Sequence, residues 1–370
     1  MSKCPPTLNR ATPRIAVVLM SLLSSVAAAA EFEPVKFDLS ALPAYEPQQP
    51  AIGTLRLHGT PVDDLVGLLA REFKSKQKQV RLDTYLINTS QALAGLVTGI
   101  ADVGIMGHRA WHTSLVAFER TYGYPVTEIK FAKGSYNDPR GSSPGVVFFV
   151  HKSNPLSGLT LEQIDGIFGT QRTGAWQGTK WSSAAARGPE KNIRTWGQLG
   201  LTGKWADTPI RLYGTDVTLS NWAKLIEQVA FQGSTKWNPA LNENPRADIS
   251  FRARDQEIVQ GVQDDPSAIG FMFQRVVDAH GPDLKVLPIA ADSAAKFVVP
   301  SAQSFFDGSY PFSNGVYLYV NRKPGESLPS NEKEFLRFVL SQDGQRVIAD
   351  NRLFIPLSAA EAQAELRKLD

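Results

Sequence analysis

Hydrophobic positions along this chain recur with two different periods, and each switch between them marks an element. Leu55 and Leu57 alternate with polar neighbours up to Gly59, which predicts a short strand. Beyond it Leu65, Leu68, Leu69 and Phe73 share one face at helical spacing. Between the two, Thr60 stands where an N-cap belongs and Pro61 occupies the first helical position, where its missing N–H does no harm. The order then repeats. Val80–Tyr85 reads as a strand, Thr89-Ser90 as a turn, and Leu93, Leu96 and Val97 as the apolar face of a helix ended by Gly99. Residues 101–106 (Ala-Asp-Val-Gly-Ile-Met) read as a buried strand. Strand–helix–strand order predicts parallel pairing and an α/β body.

Residues 133–145 read as a loop, and the β-branched and aromatic run Val146–Val150 as the next strand. Thr160 and Gln163 have the spacing of a capping box. Residues 170–209 are loop-like and hold Trp176, Trp181, Trp196 and Trp205. These rings form either a stacking platform for a sugar or pins for a long loop. A strand at Ile210–Tyr213 leads to a third turn, Thr218 to Asn221, and to a helix through Trp222, Leu225, Ile226 and Val229. Ala268–Phe273 and Tyr317–Val320 read as strands, and Phe335–Ile348 as one amphipathic helix.

The first thirty residues have the form of a secretory leader: basic Lys3, Arg10 and Arg14, an apolar run from Ile15 to Val26, and small residues to Ala30 for cleavage. That implies export to the periplasm. Proline-rich residues 31–49 read as an extended linker. The single cysteine, Cys4, would leave with the leader, so the mature chain has no thiol chemistry and no disulfide. Three of the 39 basic residues would leave too, and the remaining 36 balance the 36 acidic ones. A neutral surface argues against nucleic acid as a partner, so anion recognition must be local.

Local means exist. A helix start with a hydroxyl beside it offers unpaired amides to an anion, and such turns recur at Thr60, Thr89-Ser90 and Thr218–Asn221. Arg109 and Asp216 each follow a strand directly and either face a ligand crevice, form a salt bridge at its rim, or pair with one another. Enzyme signatures fail on context. Residues 141–145 match Gly-x-Ser-x-Gly, but a loop precedes them and a strand follows, with Pro144 between. His108 and His112 lack a third metal ligand and read as surface residues, as do the scattered His58, His151 and His280. No metal, cofactor or catalytic set emerges.

Several longer stretches together resemble the phosphate-binding branch of the periplasmic solute-binding proteins that serve ABC importers. They are residues 157–169 (Ser-Gly-Leu-Thr-Leu-Glu-Gln-Ile-Asp-Gly-Ile-Phe-Gly), 310–321 (Tyr-Pro-Phe-Ser-Asn-Gly-Val-Tyr-Leu-Tyr-Val-Asn) and 335–345, with Ala268–Phe271 and Ala101–Met106 in support. The resemblance spans roughly residues 52–357 and implies a two-lobed type II periplasmic-binding-protein fold. Each lobe would be a mixed sheet flanked by helices, joined by a strand hinge: residues 50–147 and 312–370 in lobe one, 148–311 in lobe two. It implies that Thr60, Pro61, Thr89 and Ser90 face a small anion, phosphate or a related oxyanion, in the interlobe cleft.

The third site departs from the family pattern. Where the family has an arginine, an acidic residue and Ser-Gly-Thr, this chain has Thr215, Asp216, Val217, Thr218, Leu219, Ser220 and Asn221. Thr215, Asp216, Ser220 and Asn221 are the candidates there, with Arg109 or Arg211 to supply charge. Gly107 stands about where the family offers a serine or aspartate. The expectation is a monomeric, non-enzymatic binding protein handing its anion to a permease at the inner membrane. The alternative is a relative that has lost transport and acts as an interaction or sensory protein.

Overall fold

The computed structural model describes residues 37–135, 144–215, 217, 220–243, 251–279 and 283–370. The expected leader, Asp216, Thr218 and the serines at 142 and 143 lie outside them. In the first half of the chain β1 (Gly53–Gly59), α1 (Asp63–Lys76), β2 (Val80–Tyr85), α2 (Gln91–Thr98), β3 (Val103–Met106), α3 (His112–Tyr122) and β4 (Thr127–Ser135) follow one another. The middle contributes β5 (Val146–His151), β6 (Leu159–Thr160), α4 (Leu161–Phe168), a hairpin of β7 (Ala175–Gln177) and β8 (Lys180–Ser182), β9 (Arg211–Gly214) and α5 (Asn221–Val229). After them come β10 (Leu241–Glu243), α6 (Phe251–Asp264), β11 (Ala268–Phe273), α7 (Gln274–Ala279), β12 (Leu284–Val286), β13 (Ile289–Ala290) and α8 (Ala302–Phe306). The chain ends with β14 (Gly315–Val320), α9 (Ser330–Leu340), α10 (Gln342–Asn351), β15 (Phe354–Ile355) and α11 (Ala359–Leu366).

Two mixed sheets result. One has the order β15-β4-β14-β3-β1-β2, and the other β10-β9-β11-β5-β12. The expected parallel pairing is present: β1 runs parallel to both β2 and β3, while β14 returns antiparallel to β3 and β4. Each sheet buries its own apolar set, Leu55, Leu57, Leu65, Leu69 and Phe73 among others under the first, and Phe148, Ile164, Phe168 and Phe271 under the second. Between the sheets, the end of β4 and the start of β5 are tied by backbone hydrogen bonds to the residues before β14. Gly134 N–H donates to the Asn314 carbonyl (2.8 Å), Asn314 N–H to Pro144 (2.8 Å), and Val146 N–H to Phe312 (3.2 Å). No helix among the described residues is long and apolar enough to cross a membrane.

Three expectations change. The loop read at 133–145 begins too early, because β4 runs to Ser135. Ile129 and Phe131 alternate inward, and Lys133 continues that alternation as a fully buried lysine. Its ammonium sits 2.8 Å from Glu361 and donates to the Phe306 carbonyl. A charged residue at a core position hides a strand end from any hydropathy pattern. The late helix is two helices, since Ser341 is extended (φ −80°, ψ 172°) and its hydroxyl accepts the Gly344 N–H to start α10. The described end of the linker is a docked arm: Leu42 and Tyr45 are buried, and the Tyr45 phenol donates to Glu334 at 2.6 Å. The capping box at Thr160 and Gln163 forms as read.

Candidate functional site

The carboxyl ends of β1 and β3 carry the first turn. Gly59 has φ +144°, and a Cβ there would lie 2.0 Å from the Ile105 carbonyl oxygen, so the strand can turn only at glycine. Thr60 still belongs to the strand ladder, its N–H donating to Ile105 at 2.9 Å. It is therefore not the N-cap. The Thr60 carbonyl takes the Val62 N–H (2.8 Å) in a tight turn around Pro61, and α1 starts only at Asp63, with Val62 at the N-cap and no side-chain cap. Pro61 is exposed in that turn rather than at the first helical position.

Freed from capping, the Thr60 hydroxyl reaches sideways. Its oxygen accepts the Gly107 N–H at 2.9 Å and shares a hydrogen bond with the Thr89 hydroxyl at 2.9 Å. The first and second turns thus meet directly. Ser90 sits at the N-cap of α2 without a side-chain cap bond; it is exposed, and its N–H donates to Asn88 Oδ1 at 2.8 Å. Gly107 is held from its other side, where Asn314 Nδ2 donates to its carbonyl at 2.9 Å.

The third turn lies with the second sheet. Thr215 is half-buried after β9, and Asn221 opens α5. The Ser220 hydroxyl accepts the Trp222 N–H at 3.2 Å and caps that helix. Among the described residues neither Thr215 nor Ser220 bonds to Thr60 or Thr89. A crevice does join the two sides: His108, Arg109, Asn314, Gly315 and Tyr317 face Lys224, Leu225 and Gln228 of α5.

Both cations in this crevice already have partners. Arg109 donates through Nε to Glu128 at 3.0 Å and lies over the Tyr317 ring at 5.5 Å, while Asp216, its other expected partner, lies outside the described residues. Glu128 also takes the Tyr319 hydroxyl (2.7 Å), which in turn accepts the Ala110 N–H. Lys224 is 2.8 Å from Glu227, whose carboxyl burial pushes above the ordinary carboxylate range. Arg211 is exposed and turned toward Asp265 at 3.3 Å.

His108 is not a surface residue. It is 3% exposed, its Nδ1–H donates to the Arg109 carbonyl (2.8 Å), and burial holds its pKa below the ordinary imidazole value. Sequence reasoning missed it because the polar ring sits against Trp111 at 4.8 Å on a segment with no period. It also missed Lys224 and Gln228, although Ser220, Lys224 and Gln228 stand four apart and so form one polar stripe along α5. Asn314 lay inside the Ser313-Asn314-Gly315 run without a chemical signal of its own.

The tryptophans divide. Trp196 is fully buried, donates to the Ser267 carbonyl (3.0 Å) and meets Trp205 edge-on at 6.1 Å, so these two pin the loop. Trp176 and Trp181 stay exposed on the hairpin.

A family model described as a PBP superfamily domain matches residues 44–343. The chain is 30% identical over 330 residues to the phosphate-binding protein PstS of Pseudomonas aeruginosa, covering 89% of this chain and 91% of that one. It is 26% identical over 211 residues to Protein SphX of Synechococcus elongatus, covering 57% and 52% of the two chains. Among solved structures, PstS from Borrelia burgdorferi superposes with a TM-score of 0.51 at 12% identity, over 82% of this chain and 99% of that one. That last likeness is one of fold.

Proposed function

We infer the function from one premise: the chain belongs to the PBP superfamily and, within it, to the phosphate-binding proteins. On that premise we propose that it captures phosphate or a related small oxyanion in the cleft between two lobes, residues 50–147 with 312–370 and residues 148–311. It does so as a monomer in the periplasm, after cleavage near Ala30, and presents the anion to an ABC permease without catalysis, metal or cofactor. Thr60, Pro61, Thr89 and Ser90 face the anion from lobe one, and Thr215, Asp216, Ser220 and Asn221 from lobe two, with Arg109 at the rim.

The observation that carries this reading is the Thr60 hydroxyl, held between the Gly107 amide and Thr89 at the carboxyl ends of parallel strands. Ligands of open α/β sheets bind at that edge. Beside it, α1 begins without a side-chain cap and offers amide donors to an anion, whereas the first amides of α2 are already taken by Asn88 and Thr89. Because Arg109 and Lys224 are already paired, affinity rests on amide and hydroxyl donors. The same pairing supports the second reading, an interaction or sensory protein that has lost transport.

Isothermal titration separates the two. Phosphate should bind to the wild type, and Thr60→Ala should weaken it by about tenfold, the worth of one desolvated hydrogen-bonding group. No heat with phosphate, sulfate or molybdate would sink the transport reading and leave the interaction reading.

A further inference from the structure

The hairpin of β7 and β8 is fixed to one lobe and touches the other. Its base is closed by reciprocal backbone hydrogen bonds between Arg172 and Arg187, 2.9 Å each. Both guanidinium groups are buried on Asp165 of α4: Arg172 makes two bonds of 2.8 Å, and Arg187 Nε lies 3.5 Å from the carboxylate. A bidentate pair of this kind fixes orientation as well as position. The hairpin is also seated on the turn after α5. Gly233 has φ +89°, and a Cβ there would stand 2.2 Å from the Trp176 carbonyl oxygen, so glycine lets the strand lie down.

At the tip Trp176 and Trp181 meet edge-to-face at 5.5 Å, yet they are 42% and 52% exposed. One contact reaches them from the first lobe. His112, the first residue of α3, stacks on Trp176 at 4.2 Å with 24° between the rings. Its Nδ1–H donates to the Gly178 carbonyl at 2.8 Å. The helix behind it is anchored to its own lobe by fully buried Phe118, which packs in the cluster of Tyr319 and Met106. His112 is three residues from Arg109 at the crevice.

We propose that this hairpin is an interlobe latch, with His112 and Trp176 as its two faces. This rests on the reading that the lobes close over an anion. When they part, Trp176 loses its cover and the Gly178 carbonyl loses its donor. A contact made only in the closed state shifts the population toward closure. It slows escape of the anion and leaves its arrival nearly unchanged, as interactions formed after encounter do.

Stopped-flow measurement of inorganic phosphate release tests the latch in wild type, Trp176→Ala, His112→Ala and the double variant. Each single variant should release phosphate about tenfold faster, the scale of one stacked aromatic contact with its hydrogen bond. Arrival should change by less than about twofold. The double variant should be no faster than either single one, because both remove the same contact. Release at the wild-type rate in Trp176→Ala overturns the proposal, and so do additive effects of the two singles. Should the wild type bind no phosphate, the proposed function falls and X-ray scattering of the ligand-free chain decides the latch. A larger radius of gyration in Trp176→Ala than in wild type supports it, and equal radii overturn it.

Discussion

Thr60 and Ser220 each stand between a strand end and a helix, and the molecule puts their hydroxyls to different uses. Ser220 turns back onto its own helix and takes the Trp222 amide. Thr60 ignores α1 and holds the Gly107 amide of a neighbouring strand. The contrast extends beyond this pair. In the first half of the chain α1, α2 and α3 start at Val62, Ser90 and Trp111, none with a side-chain cap. Later α4, α5 and α8 start at Thr160, Ser220 and Ser301, each with its side chain accepting an amide. A missing cap costs about 1 kcal/mol per helix. The starts of α1 and α3 bear that cost, whereas α4, α5 and α8, like α10 and α11 near the end of the chain, each commit a hydroxyl to stability.

The strongest way to break this contrast is at the backbone that sets Thr60. Gly59→Ala would drive a methyl to 2.0 Å from the Ile105 carbonyl in a conformation of φ +144°. Strand β1 must then shift from β3, and the Thr60 hydroxyl loses the Gly107 amide. The expected loss is about 3 kcal/mol of stability, typical of overpacking combined with a forbidden φ, together with phosphate binding. Urea denaturation and titration of the same sample check both, and a variant with wild-type midpoint and affinity would show that the turn does not depend on glycine.

A smaller effect sharpens the other side. Ser220→Ala should destabilise the chain by about 1 kcal/mol through the lost cap. Ser220→Asp should keep the stability, since a carboxylate caps the Trp222 amide as well and favours a helix N-terminus. If Ser220 also faces the anion, the same aspartate repels it, and binding falls while the unfolding midpoint holds. Equal phosphate affinity in wild type and Ser220→Asp would confine Ser220 to capping.

The sequence carried the alternation of strands and helices because most core positions are plainly apolar: Leu55, Leu57, Leu65 and Phe73 all bury as their spacing implies. It failed where a polar group takes a core position or a backbone bond outranks a side chain. Lys133 hid the end of β4, since no hydropathy pattern anticipates a lysine neutralised by Glu361 inside a sheet. Thr60 looked like an N-cap because threonine before proline usually is one. What displaced it was the Ile105 carbonyl on a strand forty-five residues away, a tertiary contact without a local signal. The meeting of Thr60 with Thr89 has the same origin. Pairing of Arg109 with Glu128 was open in the sequence, where Arg109 had several possible partners, and only the position of β4 beside β14 decides it.

The smallest expected effect separates the two sides by pH. His108 is buried with its pKa held down by desolvation, while in the unfolded chain it titrates near the ordinary value of about 6.5. Below that value the unfolded chain binds a proton that the folded chain refuses. The contribution of neutral His108 is therefore fully present above about pH 6.5 and is lost progressively as pH falls below it. His58, also held down by burial, adds the same sign, so the difference between wild type and His108→Gln isolates one ring. Urea midpoints from pH 8 to pH 5.5 should fall more steeply for wild type than for His108→Gln. The Ser220→Ala deficit should stay level across that range, because a hydroxyl cap does not titrate. Parallel slopes for wild type and His108→Gln would mean that the His108 ring accepts its proton in place, with solvent or a partner at Nε2, and that its surroundings are wetter than its burial indicates.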